Sequence, residues 1–358
     1  MILIFDPDPP FVRWFLLGHG ELVENALEFD MSSDDRILGH INDPDALEAV
    51  GYVLYHGGEI IKQPETALTE SSLRSVERCI RFFPEYNEMT FKLAQHWMAR
   101  FPGIPHFLFC DTAFFLDLPV EASTYAVPYA LRERGIRRYG GYGLHHQHAW
   151  DRLQRLPLPP AQRVLSVYLG NHTNVAAIRD GKPLETSIGF TPVEGIISSN
   201  SCGDLDPTIV FQLLYAGMSL SEINRLLTQE SGFSGLVGRR CTFHDIVRQG
   251  REPQVQFALE KLLYDVKRYI GGFIPTLGGV EVIVFQSEDI DGSNDLVLDL
   301  CRSLEFLGLK IAEKPRRQAD YSILTYLASP VQVICIQSNK ADIIGHRIRK
   351  LMNKEKQQ

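Results

Sequence analysis

Five short apolar runs constrain this chain more than any other feature: "MILIF" (1–5), "PHFLFCD" (105–111), "RVLSVYLGN" (163–171), "VEVIVFQ" (280–286) and "VQVICIQ" (331–337). Each is rich in β-branched and aromatic residues and reads as a buried strand. Amphipathic helical stretches near 67–82, 88–99, 295–307 and 340–352 separate or follow them. In "PQVQFALEKLLYDVKRYIGG", Val255, Leu259, Leu262, Val266 and Ile270 recur at the spacing of one buried helix face. Asp180-Gly181 marks a tight turn between two strands, Asp206-Pro207 a helix start, and Ser219 with Glu222 a capping box. Buried strands alternating with helices indicate an α/β protein with mixed sheets, whose halves are expected to part near residues 112–120.

With 358 residues, 44% apolar and 22% charged, the chain suits a soluble globular protein of two domains. A net charge of −8 gives no electrostatic case for nucleic acid as the main partner. No apolar run reaches membrane-spanning length, and no basic leader precedes an apolar stretch. Six scattered cysteines without a CxxC pair suit free thiols in a reducing cytoplasm. Motifs for a P-loop, a zinc protease helix or a serine nucleophile elbow are absent. "GYGLHHQHAW" (141–150) gathers His145, His146 and His148 at an expected helix start. Positions 145 and 148 would share a face there, which offers a weak metal site, but adjacent imidazoles are expected to sit at the surface, and no metal ligands are assigned.

Several collinear stretches together resemble the acetate kinase family, with its propionate and butyrate kinase relatives. They are "YHGGE" (55–59), "FCDTAFFLDLPVEASTYAVPYALRERGIRRYG" (109–140), "YLGNHTNVAAIRDGKPLETSIGFTPVEG" (168–195), "CGDLDP" (202–207), "VKRYIGGF" (266–273), "GGVEVIVF" (278–285) and "LEFLGLKI" (304–311). The resemblance implies the actin-like, sugar-kinase-like duplicated fold, with two domains around a cleft. The first would comprise 1–113 and 341–358, and the second, 114–340, would form a homodimer. It also implies phosphate transfer between ATP and a short carboxylate with Mg²⁺, chemistry that rests on positioning and positive charge rather than on covalent steps. Asp111 falls at the family's essential aspartate and Asn171 at a phosphate-contacting asparagine. Gly170, Gly203 and Asp204 fall at nucleotide- and phosphate-binding positions, although Asp204 and Asp206 also suit caps of the next helix. Tyr55, Gly141, Tyr142 and Pro192 fall at the carboxylate pocket.

Other family positions have changed. The phosphate-receiving hairpin Asn-Ala-Gly-Ser-Ser-Ser-x-Lys is replaced by "DPDPPFVR" (6–13), with Arg13 at the lysine. Proline removes N–H donors and aspartate has the wrong sign for phosphate, so only Arg13 offers a partial substitute. Val53 and Ser201 stand at two arginines that stabilise the transferring phosphoryl, a role worth about 10³–10⁵ in rate. Tyr142, Tyr168 and Tyr86 replace histidines, and Lys340 aligns with a magnesium-holding glutamate. "SEDIDGSN" (287–294) and Thr242-Phe243-His244 replace the adenosine-side motifs, while His56 is shared. Two readings follow. One is a degenerate homologue without efficient catalysis that acts as a binding or regulatory protein, with a small carboxylate or nucleotide as its ligand. The other is an active carboxylate kinase, using Mg²⁺ and ATP, whose site has been rebuilt around Asp111, Arg13, Lys340 and the histidines. Whether Arg13, Lys340 and Asp111 converge separates them.

Overall fold

The computed structural model describes residues 1–18, 22–28, 34–41, 43, 46–248 and 252–355. They divide into two compact units. The first comprises residues 1–116, 141–144 and 339–358, and the second 117–140 and 145–338.

Among the described residues, unit one holds strands β1 (Ile2–Asp8), β2 (Phe11–Leu17), β3 (Leu22–Glu28), β4 (Ala49–Leu54), β5 (Glu65–Ala67) and β6 (His106–Cys110). They form one sheet in the order β3-β2-β1-β4-β6-β5. Strands β1, β4 and β6 run parallel at its centre, and β3, β2 and β1 make an antiparallel meander. Every residue of β4 and β6 is buried, as expected for parallel strands covered on both faces. Helix Pro84–Arg100 packs on β1 and β4, where Trp97 meets Phe5 with ring centroids 5.1 Å apart. Helix Lys340–Glu355 packs on β1, β2 and β4. Its approach is close at Gly51, where a Cβ would lie 3.0 Å from Ile348 and 3.2 Å from Ile344.

Unit two holds β7 (Arg163–Tyr168), β8 (Asn174–Arg179), β9 (Lys182–Thr186), β10 (Val282–Ser287), β11 (Ile311–Arg317), β12 (Tyr321–Thr325) and β13 (Gln332–Gln337), ordered β11-β12-β13-β10-β7-β8-β9. The sequence β3-β2-β1-β4-β6 of unit one is repeated as β9-β8-β7-β10-β13: an antiparallel meander followed by two parallel strands. This is the duplicated α/β arrangement expected from the resemblance. Asp180 (φ 51°) and Gly181 (φ 79°) close the β8–β9 hairpin, both in the left-handed region such a turn requires. Helix Pro253–Leu277 buries Val255, Leu262, Val266 and Ile270 completely and packs Leu259 at the edge of the same core. Ser219 and Glu222 form the expected capping box on helix Leu220–Gln229. No helix among the described residues is long and apolar enough to cross a membrane.

Candidate functional site

Three parallel strands of unit one bring polar side chains to one edge of the sheet. Asp6 lies near the end of β1, Tyr55 follows β4, and Asp111 follows β6. The carboxyl ends of parallel strands are where α/β proteins place their ligands. Here the edge is filled from within the chain. Lys340, the first residue of helix Lys340–Glu355, places Nζ 3.3 Å from Asp6 Oδ1, 3.4 Å from Asp111 Oδ2 and 3.2 Å from Tyr55 Oη. Tyr55 Oη in turn donates to Asp6 Oδ1 at 3.0 Å. The ammonium also stands 4.5 Å from the centre of the Tyr55 ring and 5.3 Å from that of Tyr142, so two aromatic faces cover it. All five groups are buried, with Lys340 only 4% exposed.

The electrostatics explain this arrangement. An ammonium at the first turn of a helix has the wrong sign for the helix dipole. Two carboxylates hold it there. Asp111 Oδ1 accepts from Leu144 N at 3.3 Å, at the start of helix Gly143–Leu153, where the dipole favours an anion. Burial pushes the Asp111 carboxyl above its ordinary range, the Lys340 charge pulls it back, and Asp6 pushes it up again. Burial, with the charges of Asp6 and Asp111, lifts the Tyr55 phenol well above its usual value. Tyr86, whose ring packs 4.9 Å from that of Tyr55, is raised by burial as well. Both phenols are therefore neutral donors at neutral pH.

The backbone around the site is tightly built. Gly143 donates to the Asp111 carbonyl at 3.0 Å, and a Cβ on it would lie 2.3 Å from that oxygen. Tyr142, just before it, is left-handed (φ 57°), a conformation costing a bulky residue about 1–2 kcal/mol. That turn, beside buried Gly141, brings the Tyr142 ring against Lys340. His56 is structural: Nδ1 accepts from Gly58 N at 3.1 Å, and the ring stacks on Phe82. Asn87 clamps the same loop through the backbone N–H and carbonyl of His56. Val53 lies wholly in the core.

Arg13 stands opposite Asp6 across the β1–β2 ladder, but its guanidinium donates to Glu24 on β3 at 2.8 Å. Lys340 and Asp111 thus converge, whereas Arg13 is engaged along the neighbouring hairpin. The β1–β2 turn closes at the Asp8–Phe11 pair over Pro9-Pro10, so neither residue of the turn has an N–H to offer a phosphate.

The remaining expected residues lie in unit two. Asn171 Oδ1 accepts from Phe243 N at 2.9 Å and Ser199 Oγ at 2.8 Å, while Gly170 N donates to Thr173 Oγ1 at 3.2 Å. Gly203 (φ 72°) lies so close to the Gly195 carbonyl that a Cβ would approach it to 2.8 Å. Asp204 does not cap the following helix. It accepts from Gly195 N at 3.1 Å and from Tyr269 Oη at 2.7 Å, and pairs with Arg268, tying its loop to helix Pro253–Leu277. Asp206 does the capping, accepting from Thr208 N at 2.8 Å. Pro192 sits in a turn held by Tyr125, which accepts from Phe190 N at 2.7 Å and donates to Glu194. Ser201 is buried, with Oγ 2.5 Å from Ser198 Oγ.

The histidines correct the expectation of a surface cluster. His145 and His146 are both completely buried, each bonded to a group of unit two. His146 bonds Ser166 Oγ at 2.8 Å and the Asn174 side chain, and burial pushes its pKa down to about 4. His145 bonds Ser338 Oγ at 2.8 Å and packs its ring on Tyr168. No group of three or more His, Cys, Asp or Glu among the described residues is placed to hold a metal ion. The network joining Lys340 to Asp6 was not legible in the sequence. Lys340 was visible there as a charge reversal at a metal-ligand position and as a candidate cation beside Asp111, but not as a partner of Asp6.

Comparison with known proteins adds a further line. Residues 24–346 match the model of the acetokinase family, a span that begins after the β1–β2 hairpin. Acetate kinase 2 of Clostridium perfringens is 31% identical over 330 residues, covering 89% of this chain and 82% of the relative. Acetate kinase of Coprothermobacter proteolyticus is 34% identical over 304 residues, covering 83% and 76%. The crystal structure of Porphyromonas gingivalis acetate kinase matches with a TM-score of 0.81 at 25% identity, over 98% of this chain and 99% of that one. A propionate kinase from Francisella tularensis, 21% identical, shares the fold with a TM-score of 0.82 over 96% and 97% of the two chains.

Proposed function

The chain belongs to the acetokinase family, and from that membership we propose a degenerate member that binds or regulates without efficient ATP-dependent carboxylate phosphorylation. One observation carries this reading: the buried Lys340 ammonium bridges Asp6 and Asp111. An ammonium has three N–H donors, and Asp6, Asp111 and Tyr55 engage all three, so none is available for a transferring phosphoryl. The same ammonium stands where a divalent cation would need carboxylate oxygens at about 2.0–2.1 Å, so the residues present do not fit Mg²⁺. The proline turn and the acidic Asp6 and Asp8 likewise do not fit a phosphate group, and Val53 and Ser201 supply no charge.

The rebuilt-enzyme reading has one favourable observation, the convergence of Lys340 and Asp111. It requires the ammonium to leave both carboxylates before it can act. The test is direct: purified protein with ATP, Mg²⁺ and acetate, propionate or butyrate, with acyl phosphate trapped by hydroxylamine. The expected result is no turnover. Turnover of about 1 s⁻¹ or more would overturn the proposal. A thermal-shift panel of nucleotides and short carboxylates then identifies what the protein still holds.

We read the two units as the two domains of the family fold, in a cytoplasmic homodimer formed through unit two. Exposed Ile209, Phe211 and Tyr215 on helix Thr208–Tyr215, with Phe257 and Tyr264 on helix Pro253–Leu277, support that surface.

A further inference from the structure

We infer that Lys340 is a tethered replacement for a metal ion: its ammonium excludes divalent cations from Asp6 and Asp111, and removing it opens a site that takes one. The inference rests on the reading above in one respect, that the site no longer works through a bound cation. Three observations carry it. The two carboxylates come from the ends of β1 and β6, strands separated in the sheet only by β4, and both contact one Nζ, at 3.3 and 3.4 Å. Both are almost wholly buried, so a positive charge between them is required rather than optional. The side chain that supplies it enters from a helix packed against Gly51 of β4, which fixes its position independently of the ion pairs.

With the ammonium gone, the space beside Asp6 Oδ1, Asp111 Oδ2 and Tyr55 Oη is lined by oxygen. That chemistry suits a hard cation completed by water. Asp8, Glu85 and Tyr86 contribute to the field at the neighbouring phenols. Two carboxylates and a phenol make a weak site, with a dissociation constant on the order of 10⁻⁴–10⁻³ M.

The experiment follows free Mn²⁺ by electron paramagnetic resonance in the full-length protein, Lys340→Met and Lys340→Met/Asp111→Asn. Wild type leaves the Mn²⁺ signal unchanged, Lys340→Met takes up one ion per chain, and the added Asp111→Asn abolishes uptake. Uptake that survives Asp111→Asn, or a folded Lys340→Met that takes up none, overturns the inference. Should Lys340→Met not fold, Lys340→Gln replaces it. Wild type provides a separate arm: millimolar Mg²⁺ or Mn²⁺ leaves its melting temperature unchanged, and a rise of several degrees that Asp111→Asn removes overturns the inference. These outcomes are distinct from the kinase assay. Acyl phosphate formation refutes the degenerate reading, whereas stoichiometric Mn²⁺ on wild type refutes the role of Lys340 even in a protein without turnover.

Discussion

Replacing Lys340 with methionine keeps the unbranched chain as far as the ε position and removes the charged Nζ. At 3.3 and 3.4 Å, and an effective dielectric of 20, each carboxylate attracts the ammonium by about 5 kcal/mol. Desolvation of the buried groups consumes most of that sum, so the pair contributes little net stability against an apolar replacement of the whole cluster. Breaking it on one side is different, because two buried carboxylates are left together. The expected loss is about 3–5 kcal/mol at neutral pH, or a fall in melting temperature on the order of 10 °C. The pH dependence provides the sharper test. Burial and Asp6 raise the Asp111 carboxyl, and Lys340 opposes them. Without Lys340 only the raising causes and the weaker bond from Leu144 remain. A carboxyl raised in the folded state is stabilising below its unfolded pKa and loses that contribution as pH rises through the folded value. The deficit of Lys340→Met against wild type is therefore largest near pH 8 and shrinks toward pH 4–5. Urea unfolding of both proteins at pH 8, 6.5 and 5 measures it, and Asp6→Asn added to Lys340→Met restores part of the loss. A deficit that is absent, or that grows as pH falls, refutes the argument.

Three further outcomes are expected. His146, buried and held at about 4 against an ordinary 6.5, contributes stability that is present above pH 6.5 and lost as pH falls toward 4, up to about 3 kcal/mol. Between pH 7.5 and 4.5, His146→Gln gives a flatter dependence of the urea midpoint than wild type, and parallel curves would contradict this. Gly143→Ala drives a methyl into the Asp111 carbonyl and costs several kcal/mol, read as a melting temperature well below wild type. Phe211→Asp, on the exposed face of helix Thr208–Tyr215, yields a monomer by light scattering if unit two forms the homodimer.

Much of the scaffold was legible because local rules govern it. The apolar runs, the Asp180-Gly181 turn, the Ser219 box and the periodicity of helix Pro253–Leu277 each need only a few neighbouring residues. Strand β3 was not legible: "LVENALE" has a mostly exposed pattern and is a strand because β2 offers it an edge. Adjacent His145 and His146 suggested a surface because the groups that bond them, Ser338 for one and Ser166 and Asn174 for the other, lie 193, 20 and 28 residues away. Asp204 looked like a cap by proximity to the next helix, but its partners lie 64 and 65 residues further on. The site was half legible. Asp6 read as a poor phosphate neighbour and Lys340 as a poor metal neighbour, and each explains the other only across 334 residues.

Unit one is assembled from the two ends of the described chain, and this has a consequence for synthesis. Its sheet is complete once β6 has emerged, yet the helix that covers β1 and β4 and carries Lys340 follows 229 residues after Asp111. At about 5–20 residues per second, that interval is on the order of 10–50 s. Throughout it, the apolar surface at Gly51 lacks its covering helix, and the two acidic strand ends lack their cation. Of the two units, the one whose sheet is made first is therefore the one completed second, and nascent chains that stop short of residue 340 leave that surface bare.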